Sequence, residues 1–302
     1  MSKRGRPFLF CKYSISVGGK TLNHSEQLHI LQTLQGSHTG VAGKPVVERY
    51  LDTLIMRPRQ FELNGTPAIT WTVGHLVSQR FRAVYDENQD KLDFEMADDG
   101  SVRFSDFVAV PSLGVLAVDD RAGDIHLGGK HAINRFLSMI HMLGDTDAEI
   151  IFDANQDEIR RALTAWDLTS FKFTVRPNNP RPVSRLAQAL SEQFKIDGIG
   201  QLTGVARPNP GTPMKKGDNG FIETAANLVE AGYGQMAVSG VTEDGLDAEI
   251  KKPKFEQNRE KNERSQAKKR ELRVYVESDS PDHFKTMETA GMALIRFYAN
   301  DD

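Results

Sequence analysis

The sequence has 302 residues, of which 39% are hydrophobic, and a formal net charge of −3. This length predicts about two folded domains, and the acidic balance argues against a uniformly basic nucleic-acid binder. The single cysteine, Cys11, excludes an internal disulfide and a thiolate metal cluster. No apolar run approaches the roughly 18 residues that span a bilayer, so we expect a cytoplasmic protein without a membrane segment.

The N-terminal half mixes strand and helix patterns. Gly18-Gly19 closes a first strand, Asp98-Asp99-Gly100 is a hairpin signal, and apolar residues at helical spacing surround Phe136. The predicted elements are, in chain order, a strand over 8–17, a helix over 23–34, strands over 91–96, 101–110 and 114–118, and a helix over 130–143.

The C-terminal half alternates strands with helices. A hairpin signal at Glu243-Asp244-Gly245 and a Gly/Pro-rich loop near Pro210 punctuate it. Together the two halves predict an α+β protein with a strand-rich mixed α/β domain over 1–144 and a ferredoxin-like α/β sandwich over 145–302. The predicted elements are a strand over 148–152, a helix over 156–166, a strand over 170–175, helices over 183–194 and 221–231, strands over 235–241 and 271–277, and a helix over 281–298.

Gly18-Gly19-Lys20-Thr21 matches the end of a phosphate-binding P-loop. A complete motif needs another glycine at the position of Ser14, and the first strand continues to Val17, which leaves no room for a phosphate cradle. The sequence therefore does not favour nucleotide hydrolysis.

Carboxylates and imidazoles lie close together after the predicted strand over 114–118. Such groups bind divalent metals, but their spacings match no known ligand pattern, and a turn rich in Asp and Gly is typical of a connection between strands. We therefore expect no metal and no cofactor. The residues are Asp119, Asp120, Asp124, His126 and His131.

Glu249-Ile250-Lys251 matches the Glu-x-Lys element of magnesium-dependent nucleases, which pairs with an acidic residue on a separate strand. Asp244 and Asp247 are too near in sequence for that arrangement. The alternation of Asp247, Glu249 and Lys251 is also typical of a solvated sheet face. A magnesium-dependent nuclease stays an alternative.

Positive charge is concentrated near the C-terminus. Between Lys251 and Arg273, ten basic residues accompany four glutamates, so the rest of the chain is acidic. Lys and Arg bind phosphates in a sequence-independent, salt-sensitive manner, and three arginines follow the predicted strand over 170–175. The candidate nucleic-acid-binding residues are Lys251, Lys252, Lys254, Arg259, Lys261, Arg264, Lys268, Lys269, Arg270, Arg273, Arg176, Arg181 and Arg185.

Longer sequence patterns point the same way. The N-terminal half contains a run from Phe107 to Asp120 followed by Arg135-Phe136, and the C-terminal half contains Phe171–Asn178 and Asp244–Lys251. In these patterns the sequence resembles the phage-exclusion protein RexA and relatives of the Kiwa defence protein KwaB. The resemblance implies a dimeric DNA-binding protein of phage exclusion or defence, without hydrolytic chemistry of its own.

These patterns predict a non-enzymatic, largely sequence-independent DNA-binding protein, with RNA as the other nucleic acid that the basic segment could bind. We expect a homodimer, and a protein partner encoded in the same operon. Besides the nuclease, the alternative is a regulatory module whose basic segment binds an acidic protein. The basic segment would be a solvated connection between strands if it binds nothing, because residues 257–269 lack apolar anchors.

Overall fold

A computed structural model describes most of the chain. Its contacts divide the chain into an N-terminal unit, Arg6–Ile151 with Glu277–Asp302, and a C-terminal unit, Phe152–Val276. No helix among the described residues is long and apolar enough to cross a membrane. The described residues are 5–35, 53–76, 80–86, 91–97, 102–151, 156–175, 192–194, 196–214, 220–229, 234–251, 271–277 and 283–299.

Among the described residues, the structure contains fourteen strands and five α-helices that are each longer than three residues. The strands are β1 (Arg6–Val17), β2 (Lys20–Thr21), β3 (Thr53–Leu63), β4 (Thr66–Leu76), β5 (Arg80–Asp86), β6 (Lys91–Ala97), β7 (Val102–Val110), β8 (Val115–Asp119), β9 (Thr146–Ile151), β10 (Asp167–Val175), β11 (Leu202–Ala206), β12 (Gly234–Val241), β13 (Asp247–Lys251) and β14 (Glu271–Val276). The helices are α1 (His24–Thr33), α2 (Gly129–His141), α3 (Gln156–Ala165), α4 (Phe221–Leu228) and α5 (His283–Ala299).

The N-terminal unit is an antiparallel sheet with a helix on each face. Its strands lie in the order β1-β8-β7-β4-β3, with β2 and β9 also paired to β1. On one face the ring of Phe136 in α2 lies 5.1 Å from Trp71. On the other face Phe297 in α5 lies 5.7 Å from Phe10. Burial of these large rings supplies much of the hydrophobic stabilisation of the unit.

The start of α1 follows directly from local sequence. The side chain of Asn23 accepts hydrogen bonds from the backbone N–H groups of Ser25 and Glu26, and the Glu26 carboxylate accepts one from the Asn23 N–H. This capping box satisfies donors that have no partner within the helix. The predicted helix over 23–34 is confirmed as α1.

The hairpin of β3 and β4 has the turn signal that sequence analysis overlooked. Asn64 and Gly65 both have positive φ, 49° and 82°, and they separate the paired residues Leu63 and Thr66. An Asn-Gly pair between β-rich runs is the strongest short-range hairpin signal, because both residues tolerate this conformation. These two strands form one side of the N-terminal sheet.

The C-terminal unit is an antiparallel sheet in the order β11-β10-β12-β13-β14. One face is apolar: Phe171, Val238, Ile250 and Leu272 are paired in one row across four strands, and all are buried. Helix α3 contacts β12 and α4 contacts β10, where Phe221 lies 5.4 Å from Phe173. The unit therefore combines a sheet with helices packed against it.

The chain as a whole combines helices with antiparallel sheet, which confirms the predicted mixed α/β class. The division into units differs from the predicted boundary at residue 144, because α5 packs on β7 and β8 of the N-terminal unit. Strand β6 pairs with β5, and β7 pairs with β4 and β8, so the predicted β6–β7 hairpin is wrong. Most of the predicted helix over 183–194 lies outside the described residues.

Candidate nucleic-acid interface

The strand directions of the C-terminal unit place the starts of two basic segments at one end of its sheet. Val175, the last residue of β10, pairs with Gly234, the first residue of β12. Because β12 is antiparallel to both β10 and β13, Lys251 ends β13 at this same end. Two strand spacings, about 10 Å, separate β10 from β13. We call this the basic end of the sheet.

Both connections at the basic end are rich in positive charge. The first sixteen residues after β10, 176–191, carry three arginines and no acidic residue, and the whole connection to β11, 176–201, carries four basic and two acidic residues. Residues 252–270 carry eight basic residues and three glutamates. Lys251 pairs with Glu271, so the second connection leaves and returns at the basic end. Leu202 pairs with Val175, so the chain that follows β10 also returns there.

The face opposite the apolar row carries charged side chains on β13 and β14. Asp247 lies opposite Tyr275, Glu249 opposite Arg273, and Lys251 opposite Glu271. Facing residues of opposite charge stabilise neighbouring antiparallel strands by about 0.2–1 kcal/mol for each pair. These pairs hold together the two strands from which the 252–270 connection starts and ends.

Glu249 is the centre of this network. Its side chain accepts hydrogen bonds from Lys251 Nζ and from the Tyr275 hydroxyl, at 2.8 Å for Tyr275. Burial is the largest single influence on Glu249 and opposes its charged form, whereas the hydrogen bond from Lys251 favours that form. The Tyr275 hydrogen bond and the charges of Lys251 and Arg273 act in the same direction, so the pKa of Glu249 lies below its usual value.

Two of the predicted phosphate-binding residues fall within the described structure, and both contact carboxylates. Lys251 donates to Glu249, and Arg273 Nη2 donates to Glu271 Oε2 at 3.0 Å. A phosphate would have to compete with these carboxylates for the two cations. The other predicted residues lie outside the described structure: Lys252, Lys254, Arg259, Lys261, Arg264, Lys268, Lys269, Arg270, Arg176, Arg181 and Arg185.

The interpretation of Asp247, Glu249 and Lys251 as a solvated strand face is wrong for Glu249 itself. Asp247, Glu249 and Lys251 do alternate on one face of β13, but Glu249 is only 8% exposed. Tyr275 and Glu271 are members of the network that the sequence did not reveal, because the pairing of β13 with β14 decides which residues face each other.

The other chemical motifs of the sequence have structural roles. Lys20 pairs with Val17 across a tight turn, so Gly18-Gly19-Lys20-Thr21 forms a hairpin and not a strand-to-helix phosphate loop. Asp120 Oδ1 accepts the N–H of Gly129 at the start of α2, 3.0 Å away. Within the described part of the chain, no three His, Cys, Asp or Glu residues are arranged to hold a metal ion.

A buried ionic cluster in the N-terminal unit was not predicted. Asp106 and Asp119 are both 1% exposed or less, and Arg6 Nη2 lies 3.0 Å from Asp106 and 2.6 Å from Asp119. His283 Nδ1 lies 3.1 Å from Asp106, and Arg121 Nη2 lies 2.9 Å from Asp119. The available signal was the aspartate at 106 inside the apolar run over 104–110, because an unpaired carboxylate is rarely buried.

Comparison with known proteins assigns the chain to a family. Residues 102–277, more than half of the chain, match the family described as Domain of unknown function (DUF4747). The chain belongs to the DUF4747 family. The DUF4747 match includes β7, β8 and all described strands of the C-terminal unit, and therefore the basic end of the sheet. No curated protein matches the chain.

Proposed function

We propose that this DUF4747 protein binds nucleic acid, DNA in the first instance, through the basic end of the C-terminal sheet. The observation that carries the proposal is the common origin of the two basic connections, which start at Val175 and Lys251 on the same side of one sheet. Eleven basic residues and three glutamates lie in these two stretches, 176–191 and 252–270. A nucleic-acid backbone offers closely spaced phosphates that match such a concentration of charge.

Within this proposal, Lys251 and Arg273 hold together the two strands that flank the 252–270 connection. Each is engaged by a carboxylate, Lys251 by Glu249 and Arg273 by Glu271. Release of either cation to a phosphate would remove a charged partner from a largely buried carboxylate, which is costly. The basic residues within 252–270 and 176–191 are therefore the principal phosphate contacts.

The proposal does not require sequence readout or catalysis. Contacts to phosphates carry no base information, so binding is largely independent of nucleic-acid sequence. We also propose that this unit has a ferredoxin-like α/β sandwich fold and that the protein forms a homodimer. The resemblance to RexA and KwaB supports a role in phage exclusion or defence.

The test is fluorescence anisotropy of the full chain with labelled double-stranded DNA, single-stranded DNA and RNA. We expect affinity to fall by orders of magnitude between about 50 and 200 mM salt, as counterion release requires. The triple substitution Lys268→Glu, Lys269→Glu and Arg270→Glu should weaken binding strongly. The matched control, Lys20→Glu, Lys285→Glu and Arg296→Glu, makes the same change in net charge at exposed positions of the N-terminal unit and should bind almost as tightly as wild type.

Three other results would replace the proposed function or overturn it. Absence of binding at low salt to all three nucleic acids would overturn it. Cleavage with Mg²⁺ that Glu249→Gln abolishes would establish the nuclease alternative, in which Glu249 and Lys251 act at the scissile phosphate. A protein partner that stays bound after nuclease treatment, in the absence of direct nucleic-acid binding, would favour the regulatory module that binds an acidic protein.

A further inference from the structure

The N-terminal unit contains an open cleft of about 540 Å³ that has no role in the proposed nucleic-acid interface. This volume lies within the range of about 300–1,000 Å³ that is typical of sites for small organic ligands. One lining residue is charged, one is an amide and the others are apolar. The lining residues are Gln35, Ile55, Met56, Arg57, Val102 and Phe104.

Gly74, near the end of β4, allows two lining side chains to pack close to its backbone. A Cβ atom at Gly74 would lie 2.6 Å from Met56 Cε and 2.8 Å from Val102 Cγ1. Both of these side chains line the cleft, so they occupy space that any other residue at position 74 would fill. A glycine inside a strand often marks such a close approach.

Arg57 has a backbone conformation that its residue type disfavours. Its φ is 52°, in the left-handed region, and it lies where the pairing of β3 with β4 is irregular, between Met56 and Arg59. Pro58 follows, and a residue before proline strongly prefers an extended backbone. Strain of this kind costs about 1–3 kcal/mol and is concentrated at functional sites.

The strained backbone presents the Arg57 guanidinium at the cleft. Nη2 donates to Thr72 Oγ1 at 3.1 Å, while the side chain is 57% exposed. No other hydrogen bond to Arg57 is found among the described residues. Thr72 therefore fixes one corner of a planar fork that is more than half exposed and lines the cleft.

Arg57 lies near the buried carboxylate of Asp106, but that carboxylate already has other positively charged or hydrogen-bonding partners. Arg57 Nη2 lies 3.8 Å from Asp106 Oδ1, but Asp106 already contacts Arg6 at 3.0 Å and His283 at 3.1 Å. Thr72 Oγ1 donates a further hydrogen bond to Asp106 at 2.8 Å. The positive charge of Arg57 is thus available to an anion in the cleft.

We propose that this cleft binds a small organic anion, in which a carboxylate, phosphate or sulfonate group is attached to an apolar ring. Arg57 would bind the anionic group through its free N–H groups, as guanidinium commonly does with planar or tetrahedral oxyanions. The ring would pack against Phe104 and Met56, and the Gln35 amide would bind a polar substituent. The ligand class follows from the single charge and the apolar lining.

The test uses 1-anilinonaphthalene-8-sulfonate, an aromatic sulfonate, titrated into the full chain and followed by fluorescence and calorimetry. We expect saturable binding at one site, displaced by benzoate or phenyl phosphate but not by inorganic phosphate at the same concentration. Arg57→Met should weaken binding at least tenfold, whereas Arg296→Met, at an exposed arginine of the same unit, should not change it.

A second variant separates binding from folding. Arg57→Gly removes the guanidinium and also relieves the backbone strain, so it should bind the probe as weakly as Arg57→Met while its melting temperature is at least that of wild type. The proposal is overturned if the wild-type chain shows no saturable binding. It is equally overturned if both Arg57 variants, folded by circular dichroism, bind the probe as tightly as wild type.

Discussion

The residue that most clearly links local chemistry to the stability of the N-terminal unit is Asp106. Its carboxylate is fully buried and contacts Arg6, His283 and Thr72. Burial is the largest single influence and opposes its charged form, whereas the hydrogen bond and the charge of His283 have the opposite effect. The Thr72 hydrogen bond and the Arg6 charge add to it, so the pKa of Asp106 lies below its usual value.

We therefore expect Asp106→Asn to destabilise the chain by roughly 3 kcal/mol at neutral pH, because it leaves Arg6 with an incomplete set of partners. Urea unfolding followed by circular dichroism measures this change. The exposed Asp124→Asn serves as the control and should alter the free energy of unfolding little. A loss no larger than that of the control would show that the cluster does not stabilise the fold.

The same pKa shift gives a pH dependence with a definite sign. A carboxylate whose folded pKa is lowered stabilises the fold fully above its unfolded pKa, about 3.9, and loses this contribution as the pH falls through the folded value. The difference in stability between wild type and Asp106→Asn should thus shrink as the pH falls below about 4. A difference that grows in acid would contradict the assigned ionisation.

At the scale of elements, the contact of β10 with β12 depends on a glycine. A Cβ atom at Gly240 would lie 2.7 Å from the backbone oxygen of Asp167, beside the irregular pairing between Leu168 and Ser170. Backbone atoms cannot move aside as a flexible side chain can. The strand pair therefore requires glycine at this position.

Gly240→Ala should destabilise the C-terminal unit by about 1–3 kcal/mol, the usual cost of overpacking. Thermal unfolding of the full chain measures the effect. Gly200→Ala is the matched control, since a Cβ atom there has open space and no positive φ, and it should be close to neutral. Equal melting temperatures for the two variants would mean that β10 and β12 can separate without cost.

Most elements were predictable from local sequence, whereas their partners were not. The alternation in β1, the Asn23 cap of α1 and the apolar spacing of α2 all lie within one segment. The choice of the sheet on which α5 packs depends on residues far away in sequence. For this reason the predicted boundary at residue 144 placed α5 in the C-terminal domain. The omission of β3 and β4 has a different cause, since their Asn64-Gly65 turn was visible.

The candidate nucleic-acid interface was likewise predictable only in part. Composition alone identified the basic segment, because charge is counted and needs no pairing information. The basic segment and the arginines that follow Val175 start at the same end of the sheet. This could not be predicted from the sequence, because it depends on the directions of β10, β12 and β13. The role of Lys251 and Arg273 likewise depends on which carboxylates face them.

For the whole molecule, separation of charge is the dominant feature. The net charge is −3 although one short segment is strongly basic, so long-range repulsion of nucleic acid by the rest of the chain opposes local attraction. A modest basic surface gains affinity when two copies bind one backbone together.

We therefore expect the chain to be a homodimer at micromolar concentration. Analytical ultracentrifugation should give a mass of about twice 33.7 kDa for the wild-type chain. Addition of a short duplex of about 20 base pairs should give one dimer per duplex. A monomeric mass both with and without duplex would contradict the expectation, and the phosphate contacts would then belong to a single copy.

The central claim is that both basic connections at one end of the C-terminal sheet contact the same nucleic acid. The most direct measurement is the slope of log affinity against log salt for three proteins: wild type, a variant with Arg176, Arg181 and Arg185 changed to Gln, and a control with Arg207, Lys215 and Lys216 changed to Gln. The control residues come after β11 in the sequence, and β11 ends at Ala206, which pairs with Phe171 and not with the basic end at Val175. Loss of three phosphate contacts should reduce the slope by about 2.7 in the first variant and leave the control unchanged. Equal slopes for wild type and the first variant, or a reduction confined to the control, would contradict the claim.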